Sequence, residues 1–205
     1  HLHWAIIMII GGAVFDFFDG LTARALGVSS PIGKELDSLA DVVTFGVAPS
    51  AMLFWVMHEA HCPELLMPLK RVLPYTAFLI AAFSALRLAK FNLDTRQSTQ
   101  FIGLPTPANA LFWGSLLVGQ HAFLTSLRFN VVWMMALALL SCYLLVCEVP
   151  MMALKFKSLT WAACRWKVVF LLGCLPCLLL GYSAFAAIIV WYIVLSAVLV
   201  KFRLS

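Results

Sequence analysis

Long apolar runs separated by short polar breaks dominate the chain. They predict about seven membrane-crossing helices, at roughly 3–27, 34–57, 71–93, 106–124, 129–148, 167–181 and 183–201. Pro31, Pro63, Pro68, Pro105 and Pro150 fall at or near the breaks, where residues that cannot continue a helix belong. Between the last two runs, Gly181-Tyr182-Ser183 leaves room only for a tight turn. No internal repeat, low-complexity tract or linker divides the chain. The pattern therefore predicts one all-α domain over 1–205, a polytopic bundle of helices integral to a membrane. The chain opens at His1, already inside an apolar run, with no initiator Met and no signal-peptide pattern. We expect a further N-terminal helix that this sequence lacks.

Composition agrees with the pattern. The chain is 63% hydrophobic and 11% charged, against about 25% charged residues in a soluble domain. A bilayer can solvate that much apolar surface, whereas a soluble fold of this size cannot hide it. The net charge of +5 forms no run or stripe, so it does not point to nucleic acid. The cations sit at the ends of the apolar runs, where Lys and Arg orient helices and meet anionic headgroups. With alternating spans, one side collects Arg24, Lys34, Arg87, Lys90, Arg96, Lys155, Lys157, Arg165, Lys167, Lys201 and Arg203, and the other only Lys70, Arg71 and Arg128. By the positive-inside rule the first side is cytoplasmic. It includes the Ser29–Gly33 turn, the Asp94–Pro105 loop and the Pro150–Trp166 loop. Cys142, Cys147, Cys174 and Cys177 lie within apolar runs and read as small packing residues rather than a disulfide framework or redox pair. His58-Glu-Ala-His61-Cys62 lacks the spacing of a zinc-binding helix face and reads as a polar break.

The acidic residues are distributed otherwise. Of nine, five lie between Asp16 and Asp41, and four of these interrupt apolar helices: Asp16 and Asp19 on the first, Asp37 and Asp41 on the second. A carboxylate at the bilayer centre costs about 2.5–3.5 kcal/mol on insertion scales, so four call for one common reason. Spacings of three and four put each pair on one helix face. Gly20 and Ala23 continue the first face, and Gly33, Ala40 and Thr44 flank the second, with almost no side chain. Two antiparallel helices joined by a short turn thus bring four carboxylates together against a smooth wall. Their mutual repulsion calls for cations, and an all-oxygen ligand set suits Mg²⁺ or Mn²⁺. Small neighbours leave room for a flat, phosphate-bearing ligand. A helix-helix polar contact, or a cation path through a small transporter, is the competing reading.

Asp16-x-x-Asp19-Gly20-x-x-Ala23-Arg24, eight residues, then Gly33-x-x-x-Asp37-x-x-x-Asp41 resembles the full signature of the CDP-alcohol phosphatidyltransferase family, with every position matched. The resemblance implies a polytopic helical fold, a divalent-metal pair and a CDP-linked lipid donor. It implies Asp16, Asp19 and Asp37 as metal ligands, with Asp41 close to the second ion and acting as general base. It places Asp19, Gly20, Ala23, Arg24, Gly33 and Asp37 around the CDP moiety. The Ser30-Pro31 helix start adds N–H groups that can face phosphate oxygens. A homodimer is also implied by the family, though by no residue read independently.

Two further stretches narrow the acceptor. Asp37-Ser-Leu-Ala-Asp41-Val-Val-Thr-Phe-Gly-Val-Ala-Pro49 and Phe101-Ile-Gly-Leu-Pro105-Thr-Pro107, with Arg87-Leu-Ala-Lys90-Phe-Asn92, resemble segments of the phosphatidylserine synthases within that family. That similarity implies transfer from CDP-diacylglycerol to L-serine at the cytoplasmic face of the cell (inner) membrane, with CMP released. Arg87 and Lys90 either grip the serine carboxylate or reach toward headgroups. Thr106 and Asn109 either bond the acceptor or cap their helix. Glycerol phosphate or an inositol phosphate is the alternative acceptor, although the cytosolic loops near the motif lack the cation cluster a phosphorylated acceptor calls for.

Overall fold

The computed structural model describes residues 1–27, 30–93, 101–151 and 161–204, without the side chains of 101, 161–165 and 200–204. Most of the Asp94–Pro105 and Pro150–Trp166 loops, with Arg96, Lys155 and Lys157, lies outside the described residues. The described chain is an all-α membrane bundle. Helix α1 covers Leu2–Leu26. Helix α2 (Pro31–Asp41), a π-helical segment (Val42–Val47) and α3 (Ala48–Glu59) form one continuous rod. Two 3₁₀ turns, Glu64–Leu69 and Leu73–Phe78, lead into α4 (Leu79–Leu93). Then follow α5 (Thr106–Gly119), the single turn α6 (His121–Leu124), α7 (Val131–Val146), α8 (Trp161–Leu178) and α9 (Ala184–Leu204).

Each of the seven apolar runs thus holds a helix. Four are long and apolar enough to cross a membrane: Leu2–Leu26, Pro31–Glu59, Leu73–Leu93 and Gly181–Leu199. The apolar stretches Val131–Val146 and Trp166–Leu178 are shorter. In the 106–124 run, α5 stops at Gly119, so a periodic apolar run overstated the helix length there. The turn at Gly181–Ser183 is a 3₁₀ turn with Gly181 at φ 57°.

Helix α5 is the axis of the bundle. Ala110, Trp113, Gly114, Ser115, Leu117 and Val118 are all buried, against α1, α3 and α9. Small residues bring the helices close, as suits a membrane interior where hydrophobicity does not drive helices together. A Cβ on Gly114 would lie 3.2 Å from Ile6 Cγ1 of α1. Several polar groups within this core are paired. Trp113 Nε1 donates to Ser141 Oγ (3.1 Å), and Ser115 Oγ donates to the Tyr182 carbonyl (2.6 Å) while accepting from Ala186 N–H (3.0 Å). At the opposite end from the acidic signature, Glu59 and His121 pair at 3.0 Å across α3 and α6, and His58 packs edge-on to Phe54, so the polar break there is structural. Cys142 and Cys147 are buried and unbridged, as packing residues are.

The segment before α5 is pinned as well. Phe101–Ile102 pairs antiparallel with Pro150–Met151, Gly103 N–H bonds the Val149 carbonyl, and Leu104 N–H bonds the Leu144 carbonyl. Gly103 has φ 72°, and a Cβ there would lie 2.9 Å from the Leu145 oxygen and 3.0 Å from that of Cys147. This glycine lets the chain fold onto the end of α7 and sets where α5 begins. Gly103→Ala combines a left-handed backbone with a backbone clash and should cost at least about 1–2 kcal/mol. A fall in the thermal midpoint of the detergent-purified protein checks this.

Candidate active site

The α1–α2 turn is built by its caps. Gly27, at φ 64°, closes α1 by donating its N–H to the Ala23 and Arg24 carbonyls. Ser30 caps α2, its Oγ accepting from Gly33 N–H at 3.0 Å, and Pro31 occupies the first turn. A Cβ on Gly33 would sit 2.9 Å from that Oγ, so a larger residue would crowd the cap. Because Ser30 takes the Gly33 N–H with its Oγ and the Lys34 N–H with its carbonyl, the helix start is largely closed on itself rather than open to phosphate.

This hairpin brings Asp16, Asp19 and Asp37 together. One carboxylate oxygen from each lies within 4.8 Å of the others; Asp16 is half-buried, and Asp19 and Asp37 are exposed. Oxygens around a six-coordinate Mg²⁺ at about 2.1 Å stand about 3 Å apart when adjacent and about 4.2 Å when opposite. The three-oxygen set therefore fits a hard divalent cation after a small inward adjustment. Asp41, half-buried at the end of α2, is not in that set but interacts electrostatically with all three. Gly20 meets nothing nearer than Arg24 Nη2 at 4.0 Å, and Ala23, Arg24 and Gly33 are exposed, leaving an open wall beside the carboxylates.

No residue of α2 is buried, so few contacts orient it. Asn92, at the end of α4, donates to Ser38 Oγ (2.9 Å), Ser38 Oγ donates to the Lys34 carbonyl (3.1 Å), and Lys34 Nζ reaches the Asn92 carbonyl (3.4 Å). This ring fastens the outer face of α2 next to Asp37.

On the other side of Asp41 the surroundings are buried. Gly46, in the π segment, approaches α4 so closely that a Cβ would lie 3.1 Å from Ser84 Cβ and 3.3 Å from Ala81 Cα. Arg87, one turn beyond Ser84, is 8% exposed and interacts electrostatically with Asp41 and Tyr192. Its guanidinium stands 5.9 Å from the Phe91 ring centre. A buried guanidinium does not reach toward headgroups, whereas Lys90 is exposed. Thr106 and Asn109 are wholly buried and cap nothing: α5 begins behind Pro105 with no side-chain cap. Among the described residues, Ser84 Oγ, Arg87 Nε, Thr106 Oγ1 and both polar atoms of the Asn109 amide have no hydrogen-bond partner. Each such buried group costs about 1–3 kcal/mol. Ser84 was not singled out from the sequence. Its three-residue spacing from Arg87, on one helix face, is the signal that marks it.

A family description, CDP-alcohol phosphatidyltransferase, matches residues 1–142. The chain belongs to that family. It is similar to the CDP-diacylglycerol–serine O-phosphatidyltransferase of Bacillus subtilis, 40% identical over 107 residues, which is 52% of this chain and 56% of the relative. It is likewise similar to the enzymes of that name from Mycobacterium leprae (35% over 158 residues, 72% of this chain and 48% of the relative) and Methanocaldococcus jannaschii (38% over 127 residues, 62% and 55%). The chain spans about half the length of the curated relatives it matches.

The geometry separates three carboxylates from the fourth. Asp16→Asn, Asp19→Asn and Asp37→Asn should each weaken Mn²⁺ binding by about tenfold or more, since affinity follows ligand charge. Asp41→Asn should weaken it least. Calorimetric Mn²⁺ titration in the presence of CDP reads this, and an equal loss in all four would make Asp41 a ligand of the same rank.

Proposed function

We propose that the chain transfers a phosphatidyl group from CDP-diacylglycerol to L-serine, forming phosphatidylserine and CMP. The observation that carries this reading is the meeting, at one end of the bundle, of the three-carboxylate set, a fourth half-buried Asp and a buried Arg. The serine-specific names of the relatives support serine as acceptor.

On this reading Asp16, Asp19 and Asp37 hold a divalent ion, Mg²⁺ or Mn²⁺, with Asp41 near a second. When bound, the metal neutralises the pyrophosphate and stabilises departing CMP. Gly20, Ala23, Arg24 and Gly33 border the CDP moiety, with Arg24 as its cation. Asp41 takes the proton of the serine hydroxyl as that oxygen bonds to the phosphorus bearing diacylglycerol and the bond from that phosphorus to CMP breaks. Arg87 pairs with the serine carboxylate, and its burial favours it over Lys90. Thr106 and Asn109 line the same acceptor side. A phosphorylated acceptor carries more negative charge than one buried guanidinium can match, which favours serine over glycerol phosphate or an inositol phosphate.

The charge asymmetry of the helix ends supports a site on the cytoplasmic side of the inner membrane. The packing of α9 against α5 supports 1–205 as one domain, although the family match ends at residue 142. Family resemblance supports a homodimer, which cross-linking in native membranes tests.

CMP release from CDP-diacylglycerol, with serine, glycerol 3-phosphate and inositol phosphate offered in turn, tests the reaction. Release with serine alone is expected, and release with a phosphorylated acceptor instead would overturn the assignment. Asp41→Asn should abolish release while keeping metal-dependent CDP binding. Arg87→Ala should raise the serine KM about ten- to a hundredfold, the loss of a charge-assisted bond, and leave the KM for CDP-diacylglycerol nearly unchanged. Arg87→Lys should be impaired too, since an ammonium cannot make two parallel bonds to a carboxylate. Normal serine KM in both Arg87 variants would remove Arg87 from the site.

A further inference from the structure

Serine carries a carboxylate, a hydroxyl and an ammonium. The reading above, on which this inference rests, assigns the first to Arg87 and the second to Asp41 and leaves the third without a partner. Helix α4, the π segment, α5 and α9 surround the acceptor side, and none of them contains an Asp or Glu. If Asp41 neutralised the ammonium it would be less available as a base. The remaining acceptors are neutral oxygens, and those of Ser84, Thr106 and Asn109 are at most 1% exposed and unpartnered among the described residues.

We infer that Ser84 Oγ, Thr106 Oγ1 and Asn109 Oδ1 form a neutral subsite for the ammonium group of an amino-acid acceptor. Three acceptor oxygens suit the three N–H bonds of an ammonium. Ser84 and Arg87 are three residues apart on α4, and Thr106 and Asn109 three apart on α5, so each helix offers one polar face. Both helices pack against the π segment that follows Asp41, and against each other. Both helices therefore adjoin the segment that leads from Asp41 into the core. The Asn109 amide nitrogen is likewise buried without a partner, and on this inference its N–H groups complement the acceptor's carboxylate. The subsite selects an acceptor with a positive group next to a negative one and disfavours polyols and phosphorylated alcohols.

The test uses the detergent-purified protein, with 3-hydroxypropanoate as a probe that keeps the hydroxyl and carboxylate of serine but lacks the ammonium. The serine KM and the inhibition constant of the probe against serine are measured for wild type, Thr106→Val, Ser84→Ala and Asn109→Leu. Thr106→Val and Ser84→Ala should each raise the serine KM about tenfold, as for loss of a hydrogen bond to a charged group, with a much smaller change for the probe. Asn109→Leu should weaken both, serine more. Thermal stability without acceptor should hold or rise in Thr106→Val, because an unpaired buried hydroxyl is replaced by a methyl group. Equal weakening of serine and probe together with lost stability would overturn the subsite in favour of a packing role. An unchanged serine KM in all three variants would overturn it in favour of buried water as the partner. If Asn109→Leu does not fold, the two hydroxyl variants decide alone. If wild type releases no CMP with serine, the transferase reading fails and takes the subsite with it; serine-dependent release with unchanged selectivity overturns the subsite only.

Discussion

The constraint on which the rest depends is electrostatic: several carboxylates stand on two helical rods that are long and apolar enough to cross a membrane. Ionised groups there are tolerated only where the protein, water or a cation compensates them. The fold answers by keeping this part of the hairpin outside the packed core. Asp19 and Asp37 are exposed and α2 buries nothing, while the core begins at Phe45, just beyond the acidic segment. The same rod is thus exposed at one end and a buried packing helix at the other. The exposed end is oriented by the Ser30 cap and by the ring through Asn92, Ser38 and Lys34, contacts that leave the carboxylate face open.

The acceptor side meets the opposite constraint. Here polar groups of α4 and α5 lie buried, and the cost is unpaired polarity rather than repulsion between like charges. A cation relieves the first cost and a zwitterion the second. Any ligand that binds the folded chain and not the unfolded one stabilises it. On the proposed reading the two halves gain stability from different ligands, which suits a reaction that needs donor and acceptor together.

Much of this was legible in the residues. The apolar runs located every helix, and the Asp spacings located the hairpin face, because both signals are local and periodic. Helix length was read less well. The break at Gly119–Gln120 and the 3₁₀ turn Leu73–Phe78 interrupt runs that are continuous in hydropathy, since an apolar residue keeps its character in a distorted turn. The buried polar layer on α4 and α5 was half legible. Arg87, Thr106 and Asn109 stood out as polar residues near helix ends, but their burial depends on how α4, α5 and α9 pack, which no local pattern encodes. Ser84 was hidden for another reason: a lone serine in a membrane helix usually bonds its own backbone, as Ser50 Oγ does to the Gly46 carbonyl at 2.7 Å.

The π segment is what joins the two halves. Asp37 and Asp41 share a face because α2 is regular, so a regular continuation would carry that register into the core. Six residues of π-helix, Val42–Val47, widen the turn and shift the face that follows. The shifted face presents Gly46, whose missing side chain admits the backbone of α4 at Ala81 and, one and two turns on, Ser84 and Arg87. A β-carbon at Gly46 would push α4 outward by a few tenths of an ångström at Ala81 and Ser84. Asp41 stands where the regular helix ends and the π segment begins, coupled electrostatically to the three carboxylates on one side and to Arg87 on the other. The change in helix type thus falls at Asp41, the proposed base, between the three carboxylates and the buried guanidinium.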